Sequence, residues 1–396
     1  MDFFDTRYFR INKLFLSFVG LWPYQTSFMK ILTLSFAIYG VTITCLPQIV
    51  YLFKHTDDLD NLVELMPTLT GGIICVMKVI SLIYNSEKFK MLLQHIREDW
   101  NNLLTKQEIQ ILTHYADNSR KFTLAYSISI FGFVWSYSLI PLIAPILDVI
   151  SPLNETRPKK FPQLGEYFLN QEKYYYPLML NICVGYVACV SIAVATETMY
   201  VLLVEHICGM YDILCYRLEN LTAFNTLQWI DDDYICNHDK INQRMRHCIQ
   251  LHEKIRLLLE IMELTFTLFL LFDVGFGFLL HTSCCVMIVV RMGRSSEIIR
   301  YIALISLQSC RLFFNSWAGQ EVIDHSTKIS IAAYNGMWYD APIKVQKMLM
   351  FLIARSQKVC RITLGKLYVI SFQGFSMVMR TSLSYCTVMI SLRETS

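Results

Sequence analysis

Apolar residues run unbroken through three long stretches of this chain. Segments 31–53, 122–147 and 174–196 contain no Asp, Glu, Lys or Arg, and a helix needs roughly 20 such residues to cross the hydrocarbon of a bilayer. Four further segments come within that range with one charge each: 65–84 with Lys78, 264–290 with Asp273, 302–318 with Arg311, and 367–392 with Arg380. The pattern predicts an all-α membrane protein with seven transmembrane helices. Between the spans the periodicity changes to that of amphipathic helices. Phe89, Leu92, Leu93, Ile96, Trp100 and Leu103 recur on one face, as do Ile255, Leu258, Leu259 and Met262. After Pro342, Val345, Met348, Leu349, Leu352 and Ile353 do the same. These three stripes predict a packed helical layer on one side of the membrane, the alternative being helices that lie separately along the lipid interface. The chain then divides into a terminal segment 1–30, spans one to six over 31–318, an anchor region 319–366, and a last span with its tail over 367–396.

Composition agrees: 54% of residues are hydrophobic and 17% charged, against about a quarter charged in soluble chains. The net charge of +3 says little; the placement of basic residues says more. The amino terminus and the loops on its side carry 22 Lys and Arg, the other side 9, and the basic side is expected to be cytoplasmic. The amino terminus is thus expected inside and the carboxyl terminus outside, the reverse of a G-protein-coupled receptor. Residues 1–27 lack the apolar core and cleavage pattern of a signal peptide. The sequon at Asn154 falls in an outer loop and is open to glycosylation, whereas that at Asn220 falls inside and is expected to stay bare. Most of the 13 cysteines lie in spans or inner loops, which predicts free thiols.

Specific motifs gather near the carboxyl end. "WYDAPIKVQKMLMFLIARSQK" (338–358), "LGK" (364–366) and "FSMVMRTSLSYCTVMIS" (375–391) resemble the signature of the insect odorant receptors. "GLWP" (20–23) and "YRLENL" (216–221) resemble two further recurrent stretches of that family. The resemblance implies a ligand-gated, nonselective cation channel: a heterotetramer of odorant-tuning subunits with a common coreceptor, in the plasma membrane of olfactory sensory neurons. The short loop between spans four and five implies a tuning subunit rather than the coreceptor. A gustatory receptor shares the architecture but usually ends in Thr-Tyr, five apolar residues and Gln-Phe. Here Ser384 precedes Tyr385, and Ser391-Leu392 stands at the end.

In the last span Met377, Thr381, Ser384, Val388 and Ser391 are spaced 4, 3, 4, 3, placing them on one helix face. Spacing alone is met equally by small polar residues that let helices pack closely. Under the family resemblance the face lines a pore, with hydroxyls wetting it, Val388 as a gate able to close by dewetting, and Ser391 just outside. Arg380, too costly to face lipid, either borders an aqueous vestibule or forms a salt bridge. Asp273 and Arg311 fall at similar depth and are candidates for a mutual pair, while Lys78 is placed at the inner interface.

The resemblance puts a small volatile odorant among spans two, three, four and six. Depth then selects Ile73 and Met77; Trp135, Ser136 and Leu139; Met179, Cys183 and Tyr186; and Tyr301, Ile305 and Gln308, an apolar and aromatic set with a few polar handles. No His-Glu-x-x-His, phosphate loop or Gly-x-Ser-x-Gly is present, so no enzyme is expected. Cys236, His238, His247, Cys248 and His252 lack standard zinc spacing. Neither cofactor nor nucleic acid is expected; membrane lipids and permeating cations are.

Overall fold

The computed structural model describes residues 3–55, 59–150, 157, 159, 161–222, 237–290 and 295–395. Among them, in chain order, are α1 (Arg10–Phe18), α2 (Ser27–Lys54), α3 (Leu59–Tyr84), α4 (Ser86–Asn101), α5 (Lys106–Leu139), α6 (Ile143–Ile150), α7 (Tyr175–Glu219), α8 (Asn237–Val290), α9 (Ser295–Asn335), α10 (Ile343–Ser356) and α11 (Phe372–Thr395). One hairpin, β1 (Thr363–Leu364) and β2 (Tyr368–Val369), precedes the last helix. The seven expected spans correspond to α2, α3, α5, α7, α8, α9 and α11. Four of these are long and apolar enough to cross a membrane by composition alone; α8, α9 and α11 carry Asp273, Arg311 and Arg380.

Several helices far exceed one bilayer thickness. With 54 residues, α8 is about 80 Å long at 1.5 Å per residue, so it continues well past the hydrocarbon on the basic side. There the three amphipathic stripes close on one another. Phe89, Leu92, Leu93 and Ile96 of α4, Ile255, Leu258 and Met262 of α8, and Val345, Leu349 and Leu352 of α10 share one buried core with α7. The layer is packed rather than spread along the lipid interface. Its centre is α7, whose residues 194–211 are buried throughout.

Local chemistry accounts for the motifs. "GLWP" ends α1: Gly20 has φ +75°, the Leu21 amide donates to the Leu16 carbonyl at 2.8 Å and the Gly20 amide to Ser17 at 3.3 Å. This double bond pattern closes a helix when the residue after the cap is left-handed. Trp22 then turns inward onto Phe4, ring centroids 5.2 Å apart. "LGK" is a turn with positive φ at both Gly365 and Lys366, the geometry of a tight hairpin. Leu367 to Val369 therefore belong to the hairpin, and the last span begins at Phe372 rather than at 367. In "YRLENL", Arg217 reaches from α7 to Glu108 at the start of α5, with bonds of 2.7 and 3.0 Å. All twelve described cysteines are free.

Candidate functional site

The last helix has two unlike faces. Gly374, Val378, Ser382 and Cys386, four residues apart, are buried against the bundle. Gly374 is required where it stands, since a Cβ there would lie 2.4 Å from the Val369 carbonyl. Tyr385 packs edge-on to Phe278 of α8, centroids 5.5 Å apart. On the other side Met377, Thr381, Ser384, Val388 and Ser391 are all exposed, Val388 by 52%, and so is Arg380. The spacing-derived stripe is thus the face of α11 that a single chain leaves uncovered. The Thr381 hydroxyl donates to the Met377 carbonyl at 2.8 Å and that of Ser391 to Thr387 at 3.1 Å. With the proton turned onto the helix, the oxygen lone pairs face outward.

The depth-selected ligand residues do not share one cavity. Trp135, Leu139, Met179 and Cys183 line an open apolar groove of about 440 Å³ where α5 and α7 flank Phe36 of α2. Ser136 is exposed and bonds its own helix at Gly132. Ile73 and Met77 are half-buried on α3. The Tyr186 hydroxyl donates to the Gln163 side chain at 3.0 Å. Tyr301 and Ile305 pack on Leu280, Cys284 and Met287 of α8. Gln308 is buried and accepts from Arg311 at 2.9 Å.

A second, much smaller enclosed space of about 10 Å³, room for about one water, lies among α3, α5, α9 and the segment before α7. It is lined by Thr68, Tyr137, Gln163 and Tyr301, with the Arg300–Glu64 ion pair (2.9 Å) at its edge. Sequence reasoning missed Tyr137, Gln163, Arg300 and Glu64. Gln163 sits in a connecting segment, and no periodicity marks a loop side chain that turns inward to meet Gln48 at 2.8 Å. Asn154 lies outside the described residues, as does Cys236 of the His/Cys set.

Below these spaces a polar network crosses the bundle. Arg311 Nη2 of α9 donates to Asp273 of α8 and to Glu197 of α7, both at 2.6 Å, so the Asp273–Arg311 pair forms within a larger group. Lys78 of α3 bonds Glu197 and stands 4.0 Å from Asp273. It is 0% exposed, a correction to its expected place at the interface. The Tyr126 hydroxyl of α5 donates to Glu197, and Asn315 to Asp273 at 3.2 Å. Glu197 was missed because it stands one residue beyond the charge-free run ending at 196.

Ionic contacts also hold the basic-side layer. Asp99 of α4 is bonded by His206 of α7 at 3.0 Å and Lys254 of α8 at 2.5 Å. Burial alone would raise the Asp99 carboxyl, but these two partners outweigh it and hold it below the usual range. Among the described residues Glu205 has no such partners: burial, then the neighbouring Glu321 carboxylate, push it up to about 7.

The 7tm odorant receptor family matches residues 58–383. Odorant receptor 13a of Drosophila melanogaster is 21% identical over 378 residues, 90% of this chain and 86% of that one. Odorant receptor 10 of Aedes albopictus is 26% identical over 162 residues, 40% of this chain. The match spans only 42% of the Aedes receptor's length, and 38% of that of odorant receptor Or2 of Anopheles gambiae. Among solved structures, insect olfactory receptor OR5 from Machilis hrabei in complex with eugenol superposes with a TM-score of 0.81 at 14% identity, covering 97% of each chain. A second structure of the same receptor gives 0.77 at 13% identity, again over 97% of each. With more than four-fifths of its length matched by the family and the same fold from end to end, this chain belongs to the insect odorant receptor family of seven-transmembrane proteins.

Proposed function

We propose that this chain is an odorant-tuning subunit, which binds a small volatile molecule within its membrane bundle and opens a nonselective cation channel together with the odorant receptor coreceptor. The observation that carries this reading is the uncovered face of α11. A helix at membrane depth that turns Thr381, Ser384, Ser391 and Arg380 away from its own bundle cannot leave them against lipid, where a central Arg alone costs about 2.5–3.5 kcal/mol or more. Water in a channel shared by several subunits satisfies them all. Outward lone pairs on the hydroxyls suit cations, and a ring of Val388 side chains narrows and dries the path when closed.

We place the ligand in the outer half of the bundle, where Trp135, Leu139, Met179 and Cys183 line a groove of about 440 Å³. The eugenol complex of the Machilis receptor supports a small organic ligand here too. The excess of basic residues supports an amino terminus in the cytoplasm, with the packed layer inside the cell and the carboxyl end of α11 outside. The plasma membrane of olfactory sensory neurons follows as the working location, and a heterotetramer as the assembly.

The decisive experiment expresses the chain with and without a coreceptor and records odorant-evoked current. Cation current that needs both subunits is expected. Current that requires a G protein or added nucleotide would overturn the channel reading. Labelling of a tag on Ser396 only after permeabilisation would overturn the orientation.

A further inference from the structure

The four-charge network contains a feature that simple structural staples lack: two carboxylates share two cations, and one cation has a choice. Arg311 is committed, with its Nη2 2.6 Å from both Asp273 and Glu197. Lys78 is not. It is bonded to Glu197, while Asp273 stands at 4.0 Å. A charge-assisted N–O bond closes at about 2.8 Å, so a shift of little more than 1 Å between α3 and α8 transfers the lysine. Both arrangements keep the group neutral. Arg311 remains on each carboxylate throughout, Tyr126 still donates to Glu197, and Asn315 still donates to Asp273. Neither state leaves a bare charge in the membrane.

Stability alone does not account for such a group. Replacing buried ion pairs by well-packed apolar residues is often neutral or stabilising. The partners are placed where a rearrangement matters. Glu197 lies on α7, whose outer part lines the groove through Met179 and Cys183. Asp273 lies on α8, which packs along α3, α9 and α11 and meets α11 through Phe278 and Tyr385. We propose that Lys78 is a positioning residue that exchanges between Glu197 and Asp273, and that this exchange sets α8, and through it α11, according to whether the odorant site is filled. The pairing with Glu197 belongs to the empty site. Ligand against α7 favours the pairing with Asp273. Packed interfaces move between discrete arrangements rather than deforming continuously, and a lysine with two neutral partners is such an arrangement.

This inference rests on the channel reading above, and the experiment separates the two. Asp273→Asn removes the destination and holds Lys78 on Glu197. Glu197→Gln removes the origin and sends Lys78 to Asp273. In cells co-expressing the coreceptor, with surface protein measured in parallel, Asp273→Asn is expected to raise the odorant concentration for half-maximal current by about 5- to 10-fold. Glu197→Gln is expected to lower it by a similar factor, within the usual range of coupling between sites, and to raise current without odorant. Shifts of the same sign, or none, in variants that reach the surface would overturn the proposal, because a purely structural role impairs both alike. Should either fail to reach the surface, Lys78→Arg decides. Its longer fork spans both carboxylates at once and abolishes the choice, so maximal odorant-evoked current is expected to fall at least about 5-fold. A wild-type response from Lys78→Arg would overturn the proposal. Absence of odorant-evoked current from the wild type would instead remove the channel reading itself.

Discussion

Two sets of buried charges occupy this bundle, and they are built on opposite plans. On the basic side two acids are saturated. Glu108 takes Arg217 through both carboxylate oxygens and also accepts the Leu104 amide at 2.8 Å; Asp99 is held between His206 and Lys254. Such an acid has no second arrangement within reach, so it fixes α5 to α7, or α4 to α7 and α8. At membrane depth, Lys78 sits on one acid with another 4.0 Å away. Saturation makes a clamp, whereas slack between equal partners permits a change of state. The same residue types thus give a rigid base on one side and an adjustable centre within the membrane.

Breaking a clamp is the largest effect expected. Arg217→Met leaves Glu108 buried without its cation, and removing one partner of a buried pair costs about 3–5 kcal/mol. Thermal unfolding of the detergent-solubilised protein is expected to show that loss, with the variant largely retained before the cell surface. An unchanged melting temperature would mean that the layer does not depend on this bond.

Glu205 sharpens the comparison from the other side, as a buried acid in the same layer with a like charge for a neighbour. Its folded value of about 7 lies above an unfolded value of about 4.3. The folded state therefore holds a proton that the unfolded state releases. Stability is undiminished below about pH 4.3, falls as pH rises towards 7, and stays reduced above it. Glu205→Gln abolishes the penalty, so unfolding measured at pH 8 is expected to gain up to roughly 4 kcal/mol, and at pH 4 nothing. An equal gain at both would show that the carboxylate titrates normally.

The sequence made much of this legible, and its failures share a cause. Runs with no charge, or with one, located the spans, because lipid forbids unpaired polar groups over roughly 20 residues. The stripe on α11 was readable because one helix has a fixed period. Lys78 and Glu197 are not paired from sequence because Lys78 reads as interfacial on its own helix and Glu197 stands one residue past a charge-free run, where nothing singles it out. Only the tertiary arrangement shows that α3 and α7 bring them to one depth. The ligand residues fared similarly. Depth along a helix is additive and can be counted, but rotation about the axis decides whether Trp135 faces an open groove or Tyr137 an enclosed space. Two residues of offset separate them. Loop residues such as Gln163 carry no period at all, and their inward turn is set by the partners they find.

The smallest effect on stability is expected on α11, where it tells most about function. Thr381 is exposed in the single chain and Ser382, its neighbour, is 1% exposed. Each hydroxyl donates to the carbonyl four residues back, at 2.8 and 2.9 Å, so the two differ in what surrounds them rather than in their own bonding. Ser382→Val forces added carbon into a filled interface and is expected to cost about 1–3 kcal/mol. Thr381→Val keeps the volume and removes only the oxygen, on a face with no packing to disturb, so its effect on unfolding is expected within about 0.5 kcal/mol. Conductance should reverse the order. Thr381→Val takes one wetting group from each copy of this subunit around the channel and is expected to lower single-channel current, whereas Ser382→Val that reaches the surface leaves it near normal. Equal destabilisation by both would place Thr381 inside a packed interface, and the aqueous path would then have to be sought along another face of the bundle.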